Sequence, residues 1–164
     1  MELYLIRHGI ATERGAETLD EDRSLTELGR EKTRKVASRL QKLGIRFDSI
    51  LTSPLVRSRQ TAEILRDCGL SSQLEESAYL APDGDIYTKL RGWLEQRQLS
   101  SDTKLALVGH QPDLGQWAEI LVWGEAREAL VLKKAGIIGL TLPETGSPVG
   151  RSQLFWLSPP KFLL

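Results

Sequence analysis

The chain has 164 residues, 40% of them hydrophobic and 27% charged, which is the composition of an ordinary globular protein and long enough for one domain spanning 1–164. Lys plus Arg and Asp plus Glu both count 22, so no overall basic bias points to nucleic acid or an acidic membrane, and any anion site must be a local gathering of charge. Cys68 is the single cysteine, which excludes an intramolecular disulfide and a thiolate-rich metal site.

Leu3 to Ile6 is a short apolar run that predicts a strand buried on both faces. Gly9 to Ser24 is polar and reads as a loop. Leu25 to Gly44 predicts a helix with Leu25, Leu28, Val36, Leu40 and Leu43 near one stripe, Ser24 or Thr26 as cap and Gly44 as stop. Asp48 to Thr52 predicts a second strand. Ser53 and Pro54 follow as N-cap and first-turn proline of a helix that buries Leu55, Ala62 and Leu65 and stops near Gly69, with Cys68 at its end.

Leu74 to Tyr79 reads as a weak third strand, "APDGD" as a turn, and Ile86 to Gln96 as a helix. Leu105 to Val108 is the clearest strand. Pro112 opens a helix through Val122, with Leu114, Trp117, Ala118 and Leu121 inward. From Ala129 onward the pattern becomes short strands between Gly and Pro turns. Trp93, Trp117, Trp123 and Trp156 are expected in the core, and the tail Phe162–Leu164 is expected to dock on it. The alternation predicts an α/β fold: a mostly parallel central sheet with helices on both faces and antiparallel strands near the C-terminus. No apolar run approaches the ~18 residues of a membrane span. Glu2 and Arg7 come too early for a signal peptide, so a cytoplasmic setting is expected.

Open α/β sheets bind ligands beyond the carboxyl ends of their strands. Arg7 and His8 follow the first strand, Arg57 stands in the first turn after the second, and His110 follows the strand Leu105–Val108. Taken singly, each reads as a structural or surface residue, and Arg59 keeps that reading. Together they would form a phosphate site. Guanidinium forks match phosphate oxygens, a neutral imidazole is a nucleophile, and a second imidazole, if protonated, donates to an oxygen gaining charge. A zinc site is disfavoured, because two histidines leave a third ligand unmarked and the arginines repel a cation.

"LIRHG" at Leu5–Gly9, "SPLVRSRQTAEIL" at Ser53–Leu65 and "LVGHQPDL" at Leu107–Leu114 resemble the histidine phosphatase, or phosphoglycerate-mutase-like, superfamily. "DRSLTELG" from Asp22 to Gly29 and the "APDGD" turn are most similar to its SixA branch, the phosphohistidine phosphatases. The resemblance implies a phosphoenzyme at His8, with Arg7, Arg57 and His110 completing the phosphate pocket and neither metal nor organic cofactor. It also implies that the proton on the other ring nitrogen of His8 goes to a fixed acceptor, which the sequence leaves unidentified.

Superfamily members that act on esters usually carry a carboxylic acid for the departing alkoxide. Here Glu75, Glu76, Asp83 and Asp85 are the candidates, with Asp83 and Asp85 foremost, and spacing singles out none. Imidazole protonated on its distal nitrogen leaves as a neutral ring and makes less demand on such an acid. The expected function is therefore hydrolysis of phosphohistidine on a partner protein. The alternatives are hydrolysis of a small phosphate ester and a non-catalytic phosphate-binding module.

Overall fold

Strand β1 (Glu2–Arg7) runs through the middle of a sheet, which is why its apolar run is uninterrupted. The computed structural model describes residues 1–15, 19–82, 84–85, 92 and 100–164. Within them lie α1 (Glu27–Lys42), β2 (Ser49–Thr52), α2 (Val56–Asp67), β3 (Leu74–Glu76), β4 (Lys104–Gly109), α3 (Asp113–Trp123), β5 (Ile137–Thr141) and β6 (Gln153–Ser158). The strand order is β3-β2-β4-β1-β5-β6. β1, β2, β3 and β4 pair in parallel, whereas β5 runs antiparallel to β1, and β6 antiparallel to β5. The expected architecture is the observed one.

The period of two along each central strand divides the core. Leu3, Leu5, Leu105 and Leu107 pack with Leu114, Trp117 and Leu121 of α3 on one face. Tyr4, Ile6, Ala106 and Val108 pack with Val36 and Leu40 of α1 and with Ala62 and Leu65 of α2 on the other. Thr26 caps α1 by accepting a hydrogen bond from the Gly29 N–H at 3.0 Å, a contact worth about 1 kcal/mol. Gly44, at φ 77°, follows as the left-handed residue just past the helix.

Several expected details are corrected. Leu28 and Leu43 are exposed rather than inward, so the apolar stripe of α1 is narrower than the pattern implied. α2 begins at Val56 with Leu55 as its N-cap residue, and Ser53 is released from capping for another use. Trp123 is 39% exposed, with the Arg127 guanidinium 5.4 Å from its ring. Of the tail, Leu163 docks while Phe162 and Leu164 stay exposed. Cys68 is half-buried against the second core layer. The expected helix Ile86–Gln96, apart from Gly92, lies outside the described residues, as do Trp93 and Asp83.

The first of the short strands expected from Ala129 onward starts only at Ile137, and a buried carboxylate explains the delay. Glu119 of α3 is fully buried. Its two oxygens accept hydrogen bonds from the backbone N–H groups of Arg127, Glu128, Ala129 and Leu130 at 2.5–2.8 Å. Gln111 then accepts from Leu132 N–H and donates to the Leu130 carbonyl. Backbone groups that a strand would offer to a neighbour are spent on side chains instead. Burial alone would raise the Glu119 carboxyl, but the donors from Leu130, Arg127, Ala129 and Glu128 outweigh it and hold it low.

Candidate active site

β1 and β4 are adjacent and parallel, with Arg7 in register with Gly109. The helix after β1 packs on one face of the sheet and the helix after β4 on the other. The crevice between two such strand ends is where ligands bind in open α/β sheets. His8 N–H donates to the Gly109 carbonyl at 3.0 Å, so His8 and His110 leave the sheet side by side. Their ring centroids are 5.2 Å apart, at 55°.

The first turn of α2 brings in Arg57, whose side chain is 5% exposed. It donates through Nη1 to the Asp20 carbonyl at 2.6 Å and through Nη2 to Asp20 Oδ2 at 3.0 Å. Arg7 donates through Nη1 to the Leu132 carbonyl at 3.0 Å. The Nε atoms of both arginines are buried and have no hydrogen-bond partner among the described residues. Arg7, His8, Arg57 and His110 line one cavity of about 330 Å³, together with Arg14, Arg23 and Lys134.

The His8 ring has its tautomer set locally. Nδ1 lies 2.7 Å from the Gly9 carbonyl oxygen, which can only accept, so Nδ1 carries the hydrogen. This is the acceptor that the sequence left unidentified. Nε2 keeps its lone pair and has no hydrogen bond among the described residues. The Gly9 peptide is itself held, its N–H donating to Thr61 Oγ1 at 3.0 Å. A Cβ built at Gly9 would lie 2.5 Å from Thr33 Oγ1, so glycine allows the close approach of this peptide to α1. His110 Nε2 is engaged by Ser53 Oγ at 2.9 Å and Ser58 Oγ at 3.3 Å.

Burial, followed by the charges of His110, Arg57 and Arg7, lowers the His8 pKa to about 3 against a raising contribution from the Gly9 carbonyl. Burial, then Arg57 and Arg7, lowers His110 to about 4, with Asp20 opposing. Both rings are neutral at pH 7. The unfolded chain, with histidines near 6.5, binds more protons than the folded chain between those values. The stability these rings contribute is complete above about pH 6.5 and drains away as pH falls toward 4 and 3. Urea midpoints are expected to fall between pH 7 and pH 4.5, and to fall less in His8→Gln. Equal falls in the two proteins would refute the assignment.

Asp20 gathers Arg14 at 2.9 Å and Arg23 at 2.8 Å on Oδ1, and Arg57 on Oδ2. Burial would raise its carboxyl, but hydrogen bonds from Arg14, Arg23 and Arg57 hold it well below the usual carboxylate range. In the sequence Ser53 reads only as a cap, and Asp20, Ser58 and Thr61 are not marked. Ser58 and Thr61 did carry a signal, since Ser58 follows Arg57 directly and Thr61 lies one turn on, both buried in α2. The candidate acids fare differently. Glu75, Glu76 and Asp85 do not line the cavity; Glu76 pairs with Arg59 at 3.6 Å and Asp85 is exposed. The described carboxylates that do line it are Asp20 and Asp113. Among the described residues no group of three or more His, Cys, Asp or Glu side chains is placed to hold a metal ion, and no helix is long and apolar enough to cross a membrane.

Residues 3–109 match the family model of the histidine phosphatase superfamily (branch 1). An uncharacterized protein of Picosynechococcus sp. is 49% identical over all of this chain and 99% of its own. The phosphohistidine phosphatase SixA of Escherichia coli is 28% identical over 90% of this chain and 89% of its own. A structure of the protein histidine phosphatase SixA complexed with tungstate superposes with a TM-score of 0.83, at 26% identity and full coverage of both chains. The α-ribazole phosphatase of Shigella flexneri shares the fold, with a TM-score of 0.73 at 17% identity over 98% of this chain and 97% of its own. The chain belongs to the histidine phosphatase superfamily, branch 1, and is a phosphatase.

Proposed function

We propose that the protein hydrolyses phosphohistidine on a partner protein, through a covalent phosphoenzyme at His8. The observation that carries this reading is the ionised Asp20. The carboxylate bound to the phosphate-site arginine is held by three guanidiniums and has no proton to give an alkoxide. Asp20 is thus no acid for an alkoxide, and a leaving group that departs neutral needs none. The SixA relative and the tungstate held by a SixA structure, a tetrahedral oxyanion, support the same reading.

In the first displacement the His8 Nε2 lone pair forms the P–N bond while the bond from phosphorus to the substrate imidazole breaks. That electron pair returns to the substrate ring, which leaves neutral because its distal nitrogen is protonated. Arg7 and Arg57 offset charge on the phosphoryl oxygens, and the Gly9 carbonyl holds the Nδ1 proton as His8 gains positive character. A bound phosphoryl dianion opposes the lowering of His110 by burial, Arg57 and Arg7, and so favours the charged form that donates to a phosphoryl oxygen. In the second displacement water attacks phosphorus, the P–Nε2 bond breaks, and orthophosphate and neutral His8 are regained.

The test compares kcat/KM for a phosphohistidine protein with that for a panel of sugar phosphates. A positioned acid supplies roughly 10²–10⁴-fold to alkoxide departure, so the phosphohistidine protein is expected to win by at least about 10². A sugar phosphate that wins overturns the proposal in favour of a small-ester phosphatase. Stoichiometric binding without phosphate release would leave only a phosphate-binding module.

A further inference from the structure

A second cavity, of about 340 Å³, adjoins the phosphate pocket and shares Arg7 and Lys134 with it. Lys32 of α1 and Lys133 complete its cationic lining, and no Asp or Glu among the described residues lines it. In a chain with equal numbers of acidic and basic residues, four cations around one hollow with no described carboxylate is a marked segregation. Lys32, Lys133 and Lys134 form no ion pair among the described residues. Ile10, Ala135 and Pro160 supply an apolar floor.

The turn that carries Lys133 and Lys134 is held by backbone hydrogen bonds. Ala135 N–H donates to the carbonyls of both Arg7 and His8 at 3.1 Å, and Arg7 N–H donates to the Gly136 carbonyl at 3.2 Å. Gly136 N–H closes the turn on the Lys133 carbonyl at 2.7 Å. Ala135 takes φ 58°, a left-handed conformation that a residue with a Cβ adopts rarely and at a cost. The turn carrying Lys133 and Lys134 is thus fastened to the strand end that carries His8.

We infer that this hollow is a second anion subsite, which recognises an acidic side chain beside the phosphorylated residue of a protein substrate. The inference rests on the proposed phosphoprotein activity and deepens it. Phosphoryl oxygens meet Arg7, Arg57 and the imidazoles. A neighbouring Asp or Glu of the substrate meets Lys32, Lys133 and Lys134, while its backbone lies on the apolar floor. A phosphorylated side chain on a basic or neutral surface lacks the second contact.

Two pairs of synthetic peptides test this, one pair bearing phosphohistidine and one phosphoserine, each pair with acidic or neutral flanks. Where a peptide is cleaved, kcat/KM is read; where it is not, its inhibition of p-nitrophenyl phosphate hydrolysis is read. Wild type is expected to favour acidic flanks by about tenfold, through KM rather than kcat. In Lys32→Glu/Lys133→Glu the ratio falls to about one or inverts, and in Lys32→Ala/Lys133→Ala it drops several-fold. The alanine variant decides if the charge-reversed protein fails to fold. A wild-type ratio near one, or a ratio untouched in the variants, overturns the subsite. Cleavage of phosphoserine but not phosphohistidine peptides sinks the phosphohistidine reading alone, because the flank preference is read independently of the linkage cleaved.

Discussion

His8→Ala is expected to lower kcat/KM by at least about 10⁴-fold and to abolish an acid-labile, base-stable phosphoenzyme. The two imidazoles stand 5.2 Å apart and both are neutral at pH 7, so neither position nor charge alone says which one attacks. Their second contacts do. His110 Nε2 is engaged by two serine hydroxyls, whereas His8 offers Nε2 to the cavity with Nδ1–H held by the Gly9 carbonyl. Loss of His110 should therefore weaken turnover without removing the site of covalent attachment. Rapid acid-free quenching of His8→Ala and His110→Ala after mixing with a labelled substrate separates the two. Full turnover by His8→Ala, or label retained in it, would defeat the assignment.

Much of this arrangement was legible in the chain because parallel strands end on one side of a sheet. Arg7–His8 and Gly109–His110 follow apolar runs of similar length, and alternation with helices makes those strands parallel. Adjacency in the sheet, which brings the rings together, follows from β4 inserting between β1 and β2, and no local pattern announces that order. Asp20 was hidden for another reason. It lies 37 residues from Arg57 in a polar stretch whose acids look alike, and only the folded loop selects it over Glu21 and Asp22. Glu119 broke the reading of residues 129–136 in the same way. A buried carboxylate on an otherwise apolar helix face captures four N–H groups, and a propensity for strand loses to that capture.

Arg57→Ala is expected to lower kcat by roughly 10²–10³ while KM changes little, if the guanidinium acts mainly on charge that grows in the transition state. Arg7→Ala should fall in the same range. The stability cost of Arg57→Ala should stay below the roughly 3–5 kcal/mol typical of breaking a buried pair. Asp20 is 32% exposed and keeps Arg14 and Arg23, so its charge is not orphaned. Arg57→Lys removes the planar fork that spans the Asp20 carbonyl and carboxylate, and should recover only part of the lost rate. Asp20→Asn gives the complementary result. The carbonyl contact to Arg57 at 2.6 Å survives, so kcat should drop by only about tenfold, and the double variant Asp20→Asn/Arg57→Ala should be little worse than Arg57→Ala. Additive losses would mean that Asp20 acts on the reaction by itself rather than by positioning Arg57. An Arg57→Ala defect confined to KM would assign the arginine to uniform substrate binding, and the account of transition-state charge would have to rest on Arg7 and His110.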